Sequence, residues 1–193
     1  MRKSWIAVAL MVLVLGVGSV AKADDAGSTW TLHGWYITPD VEAFVPFNSD
    51  LSTTVFAGAH VGYQWNEWIS LEVESGWANP DLSSNVGDVT TIPLLFNVRW
   101  NIFPGVYMVD PYVFGGLGIA FNDINVDDSA VQIDDSFAGQ IGAGFDYQIN
   151  EYLSAGLEMR FYFNDPDVNV PVLGEKDVEL NSLLVGGTVR WSF

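Results

Sequence analysis

The sequence predicts an all-β protein, an eight-stranded antiparallel up-and-down transmembrane β-barrel, and three observations carry that expectation. Apolar residues alternate with polar or small ones at a period of two along most of the chain. The composition is 49% apolar and 14% aromatic although the formal net charge is −17. Beyond the N-terminal segment, no stretch reaches the ~18 consecutive apolar residues of a membrane-spanning helix. So much apolar and aromatic surface on an acidic chain suits a wall that meets lipid and carries aromatic girdles at its rims.

Residues 1–23 read as a cleaved signal peptide, with residues 24–193 as the barrel domain. Arg2 and Lys3 form a positive start, an uncharged apolar run covers 4–20, and Ala21-Lys22-Ala23 supplies the small-residue cleavage pattern. The chain has no cysteine, which excludes a lipidated cysteine anchor and disulfides. Cleavage removes Arg2, Lys3 and Lys22 and takes the net charge from −17 to −20. The remaining cations are Arg99, Arg160, Lys176 and Arg190. Such a surface repels phosphate backbones, so nucleic acid is excluded as a partner.

The strands follow in order. The first, 37–47, is interrupted by Pro39 and Pro46, and its limits are open. The second, 55–65, sets Val55, Ala57, Ala59, Val61, Tyr63 and Trp65 against His60 and Gln64. The third, 69–77, sets Ile69, Leu71, Val73 and Trp77 against Glu72 and Glu74. The fourth, 92–102, sets Ile92, Leu94, Phe96, Val98, Trp100 and Ile102 against Asn97, Arg99 and Asn101. The fifth, 112–121, is weaker and rich in glycine. The sixth and seventh, 137–149 and 152–163, place Asp146, Glu158 and Arg160 opposite aromatic and aliphatic residues. The last, 181–193, has the clearest alternation: Leu183, Val185, Val189, Trp191 and Phe193 against Ser182, Thr188, Arg190 and Ser192. Each strand is near the ~9–11 residues that cross a bilayer at a tilt. Compact links at 66–67, 103–110 and 150–151 alternate with longer acidic stretches at 78–90, 122–135 and 164–179, as periplasmic turns alternate with external loops.

This register gathers Asp40, Glu42, His60, Glu72, Glu74, Arg99, Asp146, Glu158, Arg160 and Arg190 on the inward face. An eight-stranded barrel is only wide enough for its own side chains. Charges inside it must pair, since an isolated one costs several kcal/mol. The expectation is therefore a charge-plugged lumen. The alternative is a gated or proton-conducting path, because acids outnumber arginines on that face.

No motif points to catalysis. The mature chain has two histidines, His33 and His60, and neither stands in a nucleophile–base arrangement. No cofactor or metal site is expected, because the acidic clusters around Asp127-Asp128, Asp134-Asp135, Asp165, Asp167 and 175–179 match no calcium-loop spacing. They read as a solvated, self-repelling face, with a divalent bridge from these acids to lipopolysaccharide phosphates as the alternative. Gly115, Gly116 and Gly118, like Gly142 and Gly144, lie inside strands with no helix following, so they relieve crowding rather than bind nucleotide.

The segment Val185-Gly-Gly-Thr-Val-Arg-Trp-Ser-Phe193 resembles the terminal signal of bacterial outer-membrane barrels, which implies that Trp191 and Phe193 are read by the barrel assembly machinery. The stretches beginning at Ile92, Asp110 and Phe137 resemble the same group, the small OmpA-, OmpX- and OmpW-like "porin family" barrels of Gram-negative bacteria. That resemblance implies an outer-membrane location, export past periplasmic chaperones, and lipid and lipopolysaccharide as neighbours; the sequence leaves the oligomeric state open, with a monomer as the expectation. The group is functionally mixed, so the resemblance fixes fold and compartment rather than function; the leading expectation is a non-enzymatic envelope-structural or surface-interaction protein. The alternative is a narrow channel or a lateral route for small hydrophobic molecules, as in OmpW-like proteins. A lipid A-modifying enzyme trails.

Overall fold

In the computed structural model the described residues are 34–49, 51–82, 87–104, 108–126, 132–164, 167–170, 174–177 and 180–193. The expected signal peptide, His33, Asp127, Asp128 and Asp165 lie outside them. The strands are β1 (Gly34–Pro46), β2 (Thr54–Gln64), β3 (Ile69–Ala78), β4 (Gly87–Asn101), β5 (Val109–Val126), β6 (Gln132–Ile133), β7 (Ser136–Gln148), β8 (Leu153–Asn164), β9 (Asp167–Val170), β10 (Gly174–Asp177) and β11 (Ser182–Ser192). Eight of them close a barrel in the order β1-β11-β8-β7-β5-β4-β3-β2, every neighbour antiparallel. Closure is what lets strands span lipid, because no edge of unpaired backbone groups is left.

Alternation sets the faces. Along β3, Leu71 and Trp77 are exposed while Ser70, Glu72, Glu74 and Ala78 are buried. Along β11, Val185, Val189 and Trp191 are exposed while Leu184, Thr188 and Arg190 are buried. The end that carries Gly34 and Ser192 has short links. Two of them use one device: the Asn66 side-chain oxygen accepts from the Trp68 and Ile69 amides, each at 2.9 Å, and the Asn150 oxygen accepts from those of Tyr152 and Leu153 at 2.9 and 3.0 Å. Asparagine satisfies a tight turn's amides locally, which holds the register of both hairpins.

Three sequence expectations are corrected. Pro39 does not end β1, which runs for 13 residues, although the pairing of β1 with β11 is interrupted at Thr38 and Pro39. Residues 87–90 and 122–126, expected in loops, extend β4 and β5, pairing from Gly87↔Val126 to Ile92↔Phe121. Their inner face alternates Val89, Thr91 and Asn122, so they continue the wall pattern beyond the apolar belt. The stretches 122–135 and 164–179 also hold β6, β9 and β10, which form a separate three-stranded sheet beside the barrel.

Candidate functional site

The lumen is filled in layers. Nearest the terminal end, Arg99 Nη2 meets Asp146 Oδ2 at 2.5 Å, and Arg190 Nη1 meets the same oxygen at 3.5 Å. Arg190 also donates to Gln64 Oε1 at 2.9 Å. Each guanidinium stacks on a tyrosine, Arg99 over Tyr112 at 3.4 Å and Arg190 over Tyr36 at 3.6 Å. A planar cation can bond in its plane and stack on its face at once, which suits arginine to a desolvated interior.

The middle layer centres on Arg160. Its Nη2 bonds Glu42 and its Nη1 bonds Glu74, with Asp40 at 3.5 Å and Glu158 at 3.7 Å. His60 stands 3.6 Å from Asp40, 3.5 Å from Glu72 and 3.8 Å from Glu74. Tyr36 donates to Glu72 at 2.6 Å and Tyr112 donates to Glu158 at 2.8 Å. These tyrosines tie the middle layer to the stacked arginines below. All ten inward residues named from the sequence are buried, and these contacts join them into one network. Trp191 and Phe193 lie exposed at the terminal end, where the Phe193 amide donates to the Trp35 carbonyl at 3.0 Å.

Above Arg160 the chemistry changes. Each wall strand gives one residue to a buried apolar ring: Phe44, Phe56, Ala78, Leu95, Ala120, Ala138, Tyr162 and Leu184. Over the ring lies a polar layer, in which Asn164 Nδ2 donates to Thr91 Oγ1 at 3.3 Å and to Asn122 Oδ1 at 3.1 Å, and Asn122 donates to Ser136 Oγ at 3.1 Å. A second apolar cluster, Leu51, Val89 and Leu180 with Leu82 and Ile124, caps the loop end.

The wall itself is interrupted twice. The β3–β4 ladder runs from Ile69↔Trp100 to Ser75↔Leu94 and resumes at Ala78↔Thr91, omitting Gly76 and Trp77 opposite Pro93 and Ile92. The β1–β11 ladder runs from Tyr36↔Ser192 to Ile37↔Trp191 and resumes at Asp40↔Thr188, omitting Thr38 and Pro39 opposite Arg190 and Val189. Proline has no amide hydrogen, so each loses a ladder bond on one side while its other side stays paired, Pro93 with Ala120 and Pro39 with Ala59. In a barrel there is no edge to which a proline can be confined. Behind the β3–β4 ladder gap, Pro93 and Phe56, with Phe44, Tyr162, Leu184 and Thr91, line a cavity bounded by Glu74, Gln140 and Arg160, its space too narrow for a water molecule.

Sequence reasoning missed the ring and the β3–β4 gap. Pro93 inside a strongly alternating strand was the available signal, since a central strand tolerates proline only with a broken ladder.

A family model described as outer membrane protein beta-barrel domain matches residues 9–193. The chain belongs to that family. No curated protein matches it in sequence. Among solved structures it is similar to the outer membrane protein OprG from Pseudomonas aeruginosa, at 16% identity and a TM-score of 0.65, covering 88% of this chain and 99% of that one. It is also similar to Neisserial surface protein A, at 12% identity and 0.63, covering 87% and 100%. The E. coli outer membrane protein W gives 14% and 0.60, covering 84% and 99%. At these identities the likeness is one of fold: small outer-membrane barrels.

Proposed function

We propose that this outer-membrane barrel passes small apolar molecules between its loop end and the bilayer, leaving sideways through the wall between β3 and β4. The observation that carries this reading is the position of the ladder gap. At the level of the apolar ring the ladder lacks the hydrogen bond that residue 93 would give to the Gly76 carbonyl, between registered pairs at Ser75↔Leu94 and Ala78↔Thr91. Those registered pairs are three residues apart, so the weakened stretch of wall is roughly 10 Å long at the usual rise per residue. Outside this stretch stands lipid-exposed Trp77. An apolar solute there would exchange one apolar surrounding for another, whereas along the axis it would meet the Arg160 network.

The second reading is a non-enzymatic envelope or surface protein whose lumen is only a plug. Its support is the completeness of the packing: a charge network, a ring and a hydrogen-bonded polar layer in succession. In that case the acidic loop end, with lipopolysaccharide beside it, is where function lies.

Uptake of the apolar fluorophore N-phenylnaphthylamine by cells producing the barrel separates the two. The passage requires faster uptake than in vector-only cells, reduced to the vector level by Pro93→Ala. Equal uptake with and without the folded barrel rejects it and leaves the plug. Planar-bilayer recording is expected to show no steady ion conductance under either reading.

A further inference from the structure

We propose that Phe56 is the gate of this passage, held shut by the Arg160 guanidinium; the inference rests on the lateral reading above and assigns its control.

Phe56 lies on β2, buried, and it belongs to the apolar ring. Its ring covers two glycines. An ideal Cβ would stand 2.6 Å from it at Gly58 and 2.1 Å from it at Gly76, far inside van der Waals contact. Gly76 is the residue whose pairing with Pro93 is missing. The aromatic ring therefore occupies the volume that a side chain at residue 76 would take, and it backs the weakened ladder from inside.

The backbone under Phe56 is fixed. Residue 56 pairs with Glu42 on β1 and with Ala78 on β3. Opening can thus proceed by side-chain rotation, without parting β2 from its neighbours. On the other side the Arg160 Cζ stands 4.9 Å from the ring centroid, and Arg160 is itself held by Glu42 and Glu74. Glu74 precedes Gly76 by two residues on the same strand and face. The polar layer thus holds the gate against the gap, and the same ion pairs tie β8 to the strand that bounds it.

The test is N-phenylnaphthylamine uptake by cells producing equal amounts of folded wild type, Phe56→Leu, Phe56→Ala, Pro93→Ala and the Phe56→Ala/Pro93→Ala double variant. Heat-modifiable gel mobility reports folding. A gate predicts uptake rising severalfold from Phe through Leu to Ala, and falling in the double variant to the level of Pro93→Ala. If wild type exceeds Pro93→Ala but neither Phe56 variant exceeds wild type, the passage stands and the gate is overturned. If no variant depends on Pro93, the lateral reading fails and the gate with it. Should Phe56→Ala fail to fold, Phe56→Leu, which retains most of the volume, decides alone.

Discussion

Two prolines break the barrel wall, and the two breaks have different surroundings. Pro93 faces inward, and its gap is backed by Phe56 and the apolar ring. Pro39 faces lipid, and its gap is backed by Thr38 and by Arg190, which stacks on Tyr36 and bonds Gln64. Each break forfeits about 1 kcal/mol of net hydrogen bonding. Passage at Pro39 would also require moving Arg190 off Asp146 and stranding a buried charge, which costs about 3–5 kcal/mol. Passage at Pro93 requires moving one aromatic ring. A backbone defect can become a route where the side chain behind it is apolar and strands no charge when it turns.

The same two breaks bound the panel β1–β2–β3. That panel carries Asp40, Glu42, His60, Glu72 and Glu74 and no arginine, whereas the other five wall strands carry Arg99, Arg160 and Arg190. Arg160 on β8 reaches Asp40 and Glu42 on β1 and Glu74 on β3, so one side chain bridges the lumen to both weakly sewn strands.

That asymmetry can be broken in order of effect. Arg160→Met leaves Glu42 and Glu74 buried without their cation, and a stability loss of about 3–5 kcal/mol is expected in a denaturant titration of the barrel in vesicles. A fall below 1 kcal/mol would mean the bridge does not hold the panel. Next comes uptake: Pro93→Ala supplies the missing donor, so fluorophore entry should drop to background while stability rises by about 0.5–1.5 kcal/mol. A reversible form of that experiment uses the absence of native cysteine. Trp77→Cys with Ile92→Cys places thiols on facing outward positions of the unbonded pair; oxidation should halt uptake and reduction should restore it, and unchanged uptake in the oxidised protein would move the route elsewhere. The smallest effect is reserved for Pro39→Ala, which should raise stability about as much as Pro93→Ala and leave uptake at the wild-type rate. Loss of uptake there would make the β1–β11 seam the route.

Much of the wall was legible in the sequence because β structure in lipid imposes a period of two, and a side chain's parity fixes its face. Residues 181–193 show it: Trp191 outward, Arg190 and Thr188 inward. The fourth and fifth strands were placed short for a related reason. Beyond the lipid belt Asp88, Thr90 and Asp123 replace apolar residues on the outer face, so the alternation that marks a strand fades although the pairing continues.

The sequence by itself determined that the chain makes an eight-stranded wall with acids and arginines on its inner face, because parity is a local property of each strand. Only the tertiary structure decided which carboxylates meet Arg160, since its partners lie 86 and 118 residues away and are brought together by shear and curvature. The ring, too, exists only once every strand contributes one residue at one height. So does the meaning of Pro93, a missing bond whose consequence depends on Phe56, a residue on another strand that turns its ring over the gap.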